Sequence, residues 1–174
     1  KAVFSREVLL DLIGRFIHLE RANGKEVLIF PRFQQLDAVR KLLADARAQG
    51  AGQNYLIQHS AGSGKSNTIA WTAHQIINLH DEDDRPLFDT AIIVTDRLVL
   101  DRQLQNTIGA FAQTAGVVKK IDGTSRDLKE AILQGAPIII TPIPQSATEH
   151  LATISAQAAT NSAVSIDAAN SSAS

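Results

Sequence analysis

A short segment rich in glycine and serine carries the residue types that bind phosphate. It reads GSGKS at residues 62–66 and lies between an apolar run at 54–59 and a helical pattern. Glycine lets the backbone approach phosphate oxygens, and the N–H groups that begin a helix attract anions. We therefore expect Lys65 to reach the β- and γ-phosphates of a nucleotide and Ser66 to hold Mg²⁺. The full pattern has one more glycine, where this chain has His59, so a simple turn with an incidental lysine is the alternative.

A glutamine upstream of this segment could distinguish one base from another. Gln35 lies near the start of a helical pattern that follows Pro31. A side-chain amide can donate to N7 of adenine and accept from its amino group, so Gln35 is a candidate adenine contact. The alternative is an exposed helical glutamine. The phosphate chemistry itself suits kinases, GTPases, transporter ATPases and helicase motors alike.

Two further residues stand where a strand is expected to end and a helix to begin. Thr95 closes the apolar run at 90–95, and Arg97 falls in the first turn of the next helical pattern. Backbone N–H groups at such a helix start can bind a DNA phosphate, and Arg97 adds positive charge. The alternative is a capped surface helix with no ligand.

Alternating helices and strands are expected to position these residues. Apolar spacings of three and four predict helices, and the first of them is expected over Ser5–Glu20 and to end at Asn23-Gly24. Further helices are predicted within 36–46, 69–77, 98–108 and 124–135, and strands at 54–59, 90–95, 117–121 and 137–141. This order predicts an α/β domain of three layers, with a mostly parallel sheet and helices on both faces.

Composition excludes several classes of protein. The 174 residues suit one domain, and 17 Lys and Arg against 18 Asp and Glu exclude a uniformly basic nucleic-acid binder. The absence of Cys excludes a disulfide scaffold and a thiolate zinc site. No apolar run reaches the roughly 18 residues of a membrane span, so we expect a soluble, cytoplasmic protein with no membrane partner. Because the chain starts with Lys and lacks Met, we expect a fragment of a longer protein.

Three motifs in order resemble those of the superfamily 2 helicase-like ATPases. Arg32, Gln35 and Ala38 resemble the Q motif, HSAGSGKS at 59–66 resembles motif I, and TDRLVLDRQL at 95–104 resembles motif Ia. The amino-acid sequences of the motif I and motif Ia segments resemble those of the motor subunit of type I restriction–modification enzymes. Segments 121–125 and 138–141 are similar to the next motifs of that family, so the resemblance covers residues 5–141.

The resemblance implies a RecA-like P-loop domain, the first motor domain of a DNA translocase, over residues 31–174, after an N-terminal helical linker segment over residues 1–30. The full subunit would be a type I site-specific deoxyribonuclease that uses ATP and Mg²⁺ to pull duplex DNA, independently of sequence, before cleavage. Its partners would be methyltransferase and specificity subunits. The nuclease domain and the second motor domain are not expected in this chain. The implied nucleotide contacts are Arg32, Gln35, Gly62, Ser63, Gly64, Lys65 and Ser66, and the implied DNA contacts are Thr95, Arg97, Thr124 and Thr141.

The last thirty residues depart from the family pattern. Residues 145–174 hold nine Ala and seven Ser, a composition typical of a low-complexity tail. The family carries a strand that ends in Asp-Glu-Ala-His at this distance, and Asp167 matches its Mg²⁺-binding aspartate. Asp167 is therefore expected to act with Lys65 in catalysis and to face Ser66 from a strand beside the run at 54–59. Ala168 replaces the glutamate that orients the attacking water, and Asn170 replaces the histidine.

Two explanations of this degenerate motif II are open. Either the site has lost hydrolysis, or small residues stand in for side chains that were not identified, which the abrupt change in composition favours. Two other functions also remain open: a stand-alone P-loop kinase or GTPase, and a scaffold domain that binds nucleotide without catalysis.

Overall fold

The computed structural model describes residues 5–22, 25–60, 62–95, 104, 106–109, 117–121, 125–142 and 163–168. Its helices are α1 (Arg6–Asp11), α2 (Phe33–Gln49), α3 (Lys65–Ile76) and α4 (Ser125–Leu133), and a π-helical turn, Leu12–Phe16, follows α1 directly. Its strands are β1 (His18–Ala22), β2 (Lys25–Ile29), β3 (Thr90–Thr95), β4 (Val118–Lys120), β5 (Ile138–Pro142) and β6 (Ala163–Ala168).

A four-stranded sheet in the order β4-β5-β3-β6 forms the centre of the fold. All three strand pairs are parallel, and β3 pairs with β5 on one side and with β6 on the other. Every residue of β3 is buried, which explains why its sequence is a continuous run of apolar and threonine residues rather than an alternating one.

Helices cover both faces of this sheet. Ile93, Ile138 and Ile140 share one apolar core with residues of α1, α2 and α3. The intervening Ile92 and Ile139 point to the other face, where they pack with buried residues of α4. Successive residues of a strand point to opposite faces, so each isoleucine run supplies both cores. The predicted α/β fold with helices on both faces of a parallel sheet is confirmed.

The N-terminal segment differs from its prediction. The helix expected over Ser5–Glu20 ends at Phe16, because residues 18–22 form β1 and pair antiparallel with β2. The register places Ala22 opposite Lys25, so the expected helix stop Asn23-Gly24 instead connects two strands and lies outside the described residues. Val8, Leu12 and Phe16 nevertheless join the same core as α2 and α3. A domain boundary at residue 30 stays a prediction.

The expected strand at 54–59 is absent. Residues 53–60 have no regular secondary structure and pair with no described strand, and Leu56 is 94% exposed. Tyr55 ties the run to α2 through a hydrogen bond from its hydroxyl to Asp45 at 2.8 Å. A strand exists only where a neighbouring backbone satisfies its N–H and C=O groups, and no described strand does so here. The described neighbour of β6 is β3, so the expectation that β6 lies beside a strand at 54–59 is wrong.

The other predicted elements agree with the structure where it describes them. The helix that follows residue 64, the strand at 90–95, the strands near 118 and 138 and the short helix before Gly135 are all present. Of the helix predicted over 98–108, only Leu104 and residues 106–108 are described; they are helical, and Leu104 and Ile108 are buried. Within the described ranges, no helix combines the length and the apolar character that crossing a membrane requires.

Candidate nucleotide-binding site

The segment 62–64 turns sharply into the first residue of α3. Gly62 and Gly64 have φ angles of +71° and +83°, in the left-handed region that favours glycine. The backbone N–H and the hydroxyl of Ser63 both donate to the carbonyl of Ser60, at 3.3 and 2.7 Å. Residues 60 and 62–66, called here the phosphate loop, are therefore joined by local hydrogen bonds and contain two glycines with positive φ angles.

The start of α3 presents unused backbone donors beside this loop. The N–H groups of Asn67 and Thr68 donate to the carbonyl of Gly64, at 3.1 and 3.3 Å. The N–H groups of Lys65 and Ser66 precede the first N–H that bonds within the helix, that of Asn67, so they have no helical partner. Since Lys65 and Ser66 are also half-buried side chains, this helix start can bind an anion with backbone donors and one positive charge.

The side chain of Gln35 joins the start of α2 to the phosphate loop. Its Nε2 donates to the carbonyls of Ser63 and Gly64, at 3.2 and 2.9 Å. Its Oε1 accepts from the backbone N–H of Arg32 at 2.8 Å, the return bond of a helix capping box. Gln35 is only 3% exposed, so both amide protons are used within the protein. The expected adenine contact thus holds the loop in this conformation, a role that sequence reasoning missed.

Two features explain why residue 64 is glycine. Its φ angle is positive, and a Cβ built on its backbone would lie 2.5 Å from Nε2 of Gln35. No real Cβ approaches a neighbouring atom so closely, so a larger residue would displace the glutamine amide. By contrast, a Cβ on Gly62 would meet open space, and only its φ angle favours glycine.

Arg32 reaches the same loop from the residue that precedes α2. Its Nη1 donates to the carbonyl of Gly62 at 3.4 Å, and the side chain is exposed. The structure therefore brings together all the residues that we expected at the nucleotide: Arg32, Gln35, Gly62, Ser63, Gly64, Lys65 and Ser66.

Two buried polar atoms flank the loop without a partner among the described residues. They are Nε2 of His59, just before the loop, and Oγ1 of Thr68, in the first turn of α3. Buried polar atoms are nearly always satisfied, so such a pair is typical of a site that is completed by water or by a polar ligand. Neither atom was singled out from the sequence, and their only signal is their position beside the glycine-rich segment.

Three other expected site residues, Thr95, Thr141 and Asp167, belong to the carboxyl ends of parallel strands. Thr95 is 1% exposed, and its Oγ1 has no partner in the described part of the chain. Thr141 is buried as well, and its hydroxyl donates to the carbonyl of Pro142 at 3.3 Å. The backbone of Asp167 pairs in register with Val94, one residue before β3 ends. The position of its carboxylate relative to Ser66 stays a prediction, and Arg97 and Thr124 lie outside the described residues.

The described residues contain no group of three or more His, Cys, Asp or Glu that could hold a metal ion.

Comparison with known proteins agrees with this geometry. A family model described as SWI2/SNF2 ATPase matches residues 34–173. The fold is similar to that of the UvsW helicase from bacteriophage T4, with a TM-score of 0.52 and 21% sequence identity. The similarity covers 78% of this chain and 42% of the helicase, so the chain spans less than half of that protein. No curated protein matches the chain.

Proposed function

Since this chain belongs to the SWI2/SNF2 ATPase family, we propose that it is the nucleotide-binding domain of a motor that moves along duplex DNA. It is a helicase-like ATPase motor domain with an α/β fold. The observation that carries the proposal is the phosphate loop, where Gln35 fixes two carbonyls and the first N–H groups of α3 remain free of helical partners.

In this proposal the N–H groups of Lys65 and Ser66 and the Lys65 ammonium bind the phosphates of ATP. The Ser66 hydroxyl and the Asp167 carboxylate are the oxygen ligands that Mg²⁺ prefers, and they would hold it directly or through water. A bound Mg²⁺ would neutralise phosphate charge during hydrolysis. Gly64 supports the proposal indirectly, because a Cβ there would lie 2.5 Å from Nε2 of Gln35 and displace the amide that holds the loop carbonyls.

Adenine recognition by Gln35 is the second part of the proposal. Both amide protons of Gln35 now bond loop carbonyls, so donation to N7 of adenine requires that one of these bonds be exchanged. Oε1 has a second lone pair available for the adenine amino group. The base would thus be selected by a side chain that also shapes the loop.

The finer assignment is to the motor subunit of a type I restriction enzyme. It is supported by the resemblance of the amino-acid sequences at 59–66 and 95–104 to motifs I and Ia of that subunit. The partners would be duplex DNA, bound without sequence preference through Thr95, Arg97, Thr124 and Thr141, and the methyltransferase and specificity subunits, in the cytoplasm. Such DNA binding should weaken with salt, and each phosphate contact contributes about −0.9 to the logarithmic slope. A clear preference between two unrelated duplexes would count against the motor assignment.

A variant of Lys65 tests the nucleotide site directly. Lys65→Ala removes a charge-assisted contact worth about 1.5–3 kcal/mol, so ATP affinity measured by calorimetry should fall roughly tenfold to a hundredfold. Lys41→Ala is the matched control, because Lys41 is an exposed lysine of α2 that pairs only with Asp37 among the described residues. Equal ATP affinity of the wild type and Lys65→Ala would refute the assignment of the loop.

Hydrolysis depends on the residue at position 168. With Ala168 as written, no carboxylate orients the attacking water, which favours the second candidate, a domain that binds nucleotide without turnover. Intact mass and peptide sequencing of residues 142–174 distinguish the two. Glu at 168 and His at 170 would indicate an ordinary motor domain, and confirmed alanine with ATP binding but no turnover would indicate the non-catalytic one.

A further inference from the structure

A cavity of about 440 Å³ lies between the π-helical turn, α2 and α3. It is lined by residues of the second halves of both helices, among them Arg47 and Gln75. The phosphate loop contacts the opposite, N-terminal ends of these helices, about 15 Å away at 1.5 Å per helical residue. The cavity is therefore separate from the proposed nucleotide site, and its chemistry is independent of whether that site binds ATP.

The wall of this cavity has a surplus of positive charge. Arg15, Arg40 and Arg47 line it, and Asp11 is its one acidic residue. The Asp11 carboxylate pairs with Arg40 at 3.0 Å and with Arg15 at 3.5 Å. Arg47 has no hydrogen bond or ion pair with any described residue. Three guanidinium groups and one carboxylate give the wall a formal net charge of +2, and Arg47 is its one guanidinium without a carboxylate partner among the described residues.

Two residues of α3 add polar but uncharged groups. Gln75 is only 9% exposed, and its Nε2 donates to the Arg15 carbonyl at 3.5 Å, whereas its Oε1 has no partner in the described part of the protein. Nε2 of His74 lies 3.0 Å from the Ile108 carbonyl, and burial lowers the pKa of the imidazole, which favours its uncharged form. A ligand that complements this wall therefore carries both a negative charge and a hydrogen-bond donor.

We propose that this cavity binds a small phosphate monoester that also carries hydroxyl groups. The phosphate contacts Arg47 and the neighbouring guanidinium groups, which are suited to bind oxyanions through paired N–H donors. A hydroxyl of the same ligand donates to Oε1 of Gln75, which satisfies the buried acceptor. The volume falls within the range of about 300–1,000 Å³ that small-molecule sites occupy.

Calorimetric titration of the full chain tests this site. All titrations use the Lys65→Ala background, so that the phosphate loop contributes little, and the probes are glycerol 3-phosphate, inorganic phosphate and glycerol. We expect saturable binding of glycerol 3-phosphate, weaker binding of inorganic phosphate and none of glycerol. Arg47→Gln should weaken the binding of glycerol 3-phosphate about tenfold or more, since it removes a charged hydrogen-bond donor.

Lys41→Gln is the matched control, because it removes one positive charge from α2 outside the cavity and should leave the affinity unchanged. Arg47 also lies in the last turn of α2, where a cation complements the helix carbonyls, so all titrations are run well below the melting temperature of each variant. No saturable binding up to about 10 mM probe, well above a millimolar dissociation constant, would overturn the proposal. Equal effects of Arg47→Gln and Lys41→Gln would also overturn it, and equal affinity for inorganic phosphate would overturn the hydroxyl contact to Gln75.

Discussion

Replacing Gly64 by alanine should destabilise the protein more than any other glycine substitution in the phosphate loop. At φ +83° a side chain costs about 1–2 kcal/mol. The new Cβ would also lie 2.5 Å from Nε2 of Gln35 and displace an amide that donates two hydrogen bonds, each worth about 0.5–1.5 kcal/mol. The free energy of unfolding should therefore fall by about 2–5 kcal/mol in Gly64→Ala.

Two other glycines separate these contributions. Gly62→Ala has the positive φ but open space around its Cβ, so it should lose only the conformational part, about 1–2 kcal/mol. Gly14 has no positive φ and no atom within 4 Å of its Cβ, so Gly14→Ala should be neutral or stabilise the protein by up to about 1 kcal/mol. Urea denaturation followed by circular dichroism gives all three values.

The double variant Gln35→Ala/Gly64→Ala identifies the cause. Removing the glutamine amide removes the collision, so the double variant should lose less than the sum of the two single changes, by about 1 kcal/mol or more. A collision at residue 64 is refuted if Gly64→Ala costs no more than Gly62→Ala. It is also refuted if the two changes add within about 0.5 kcal/mol, as independent sites do.

Three further predictions test other parts of the fold. Trp71→Phe removes the 2.8 Å hydrogen bond from the indole to the buried carbonyl of Phe16 and should cost about 1–3 kcal/mol in thermal denaturation; no loss of stability would contradict this bond. Because burial lowers the pKa of His74, the unfolded chain binds a proton more readily than the folded one. Stability should therefore fall as the pH drops below 6.5, and His74→Gln should reduce the difference between urea midpoints at pH 5 and pH 7.5, whereas an unchanged difference would assign it to other groups. Leu56→Ser should change stability by less than about 0.5 kcal/mol because the side chain is exposed, whereas a loss above about 2 kcal/mol would mean that the run at 54–59 is a buried strand after all.

Local sequence patterns predicted the elements whose partners lie in the core. The runs at 90–95 and 138–141 consist of apolar residues and threonine, and both form interior strands of the sheet. The run at 54–59 is apolar only at its centre, residues 55–57, and no described strand lies beside it. Periodicity cannot show whether a sheet edge is available. The helix end expected at Asn23-Gly24 falls between two paired strands, and the same dipeptide is the strongest short-range signal for a hairpin. The pattern of three- and four-residue spacing before it obscured that signal.

The sequence predicts which residues lie at the candidate site but not the hydrogen bonds that join them. Lys65, Ser66 and Gln35 were recognised from residue type and spacing. Glutamine at the third position of a helix is also a capping signal, and the bond from Gln35 to the Arg32 backbone follows from it. The bonds from Gln35 to residues 63 and 64 join positions 28 and 29 residues apart, and no local pattern predicts such a contact.

These long-range bonds determine how much of the chain is needed to form the phosphate loop. The loop residues contribute a turn and a helix start, but the two carbonyls before α3 are held by an amide from another helix. A peptide that begins after α2 would contain the whole glycine-rich sequence and would lack the group that fixes its shape. The smallest piece able to form the loop therefore starts before Arg32, and the loop takes its final conformation only after α2 has docked against α3.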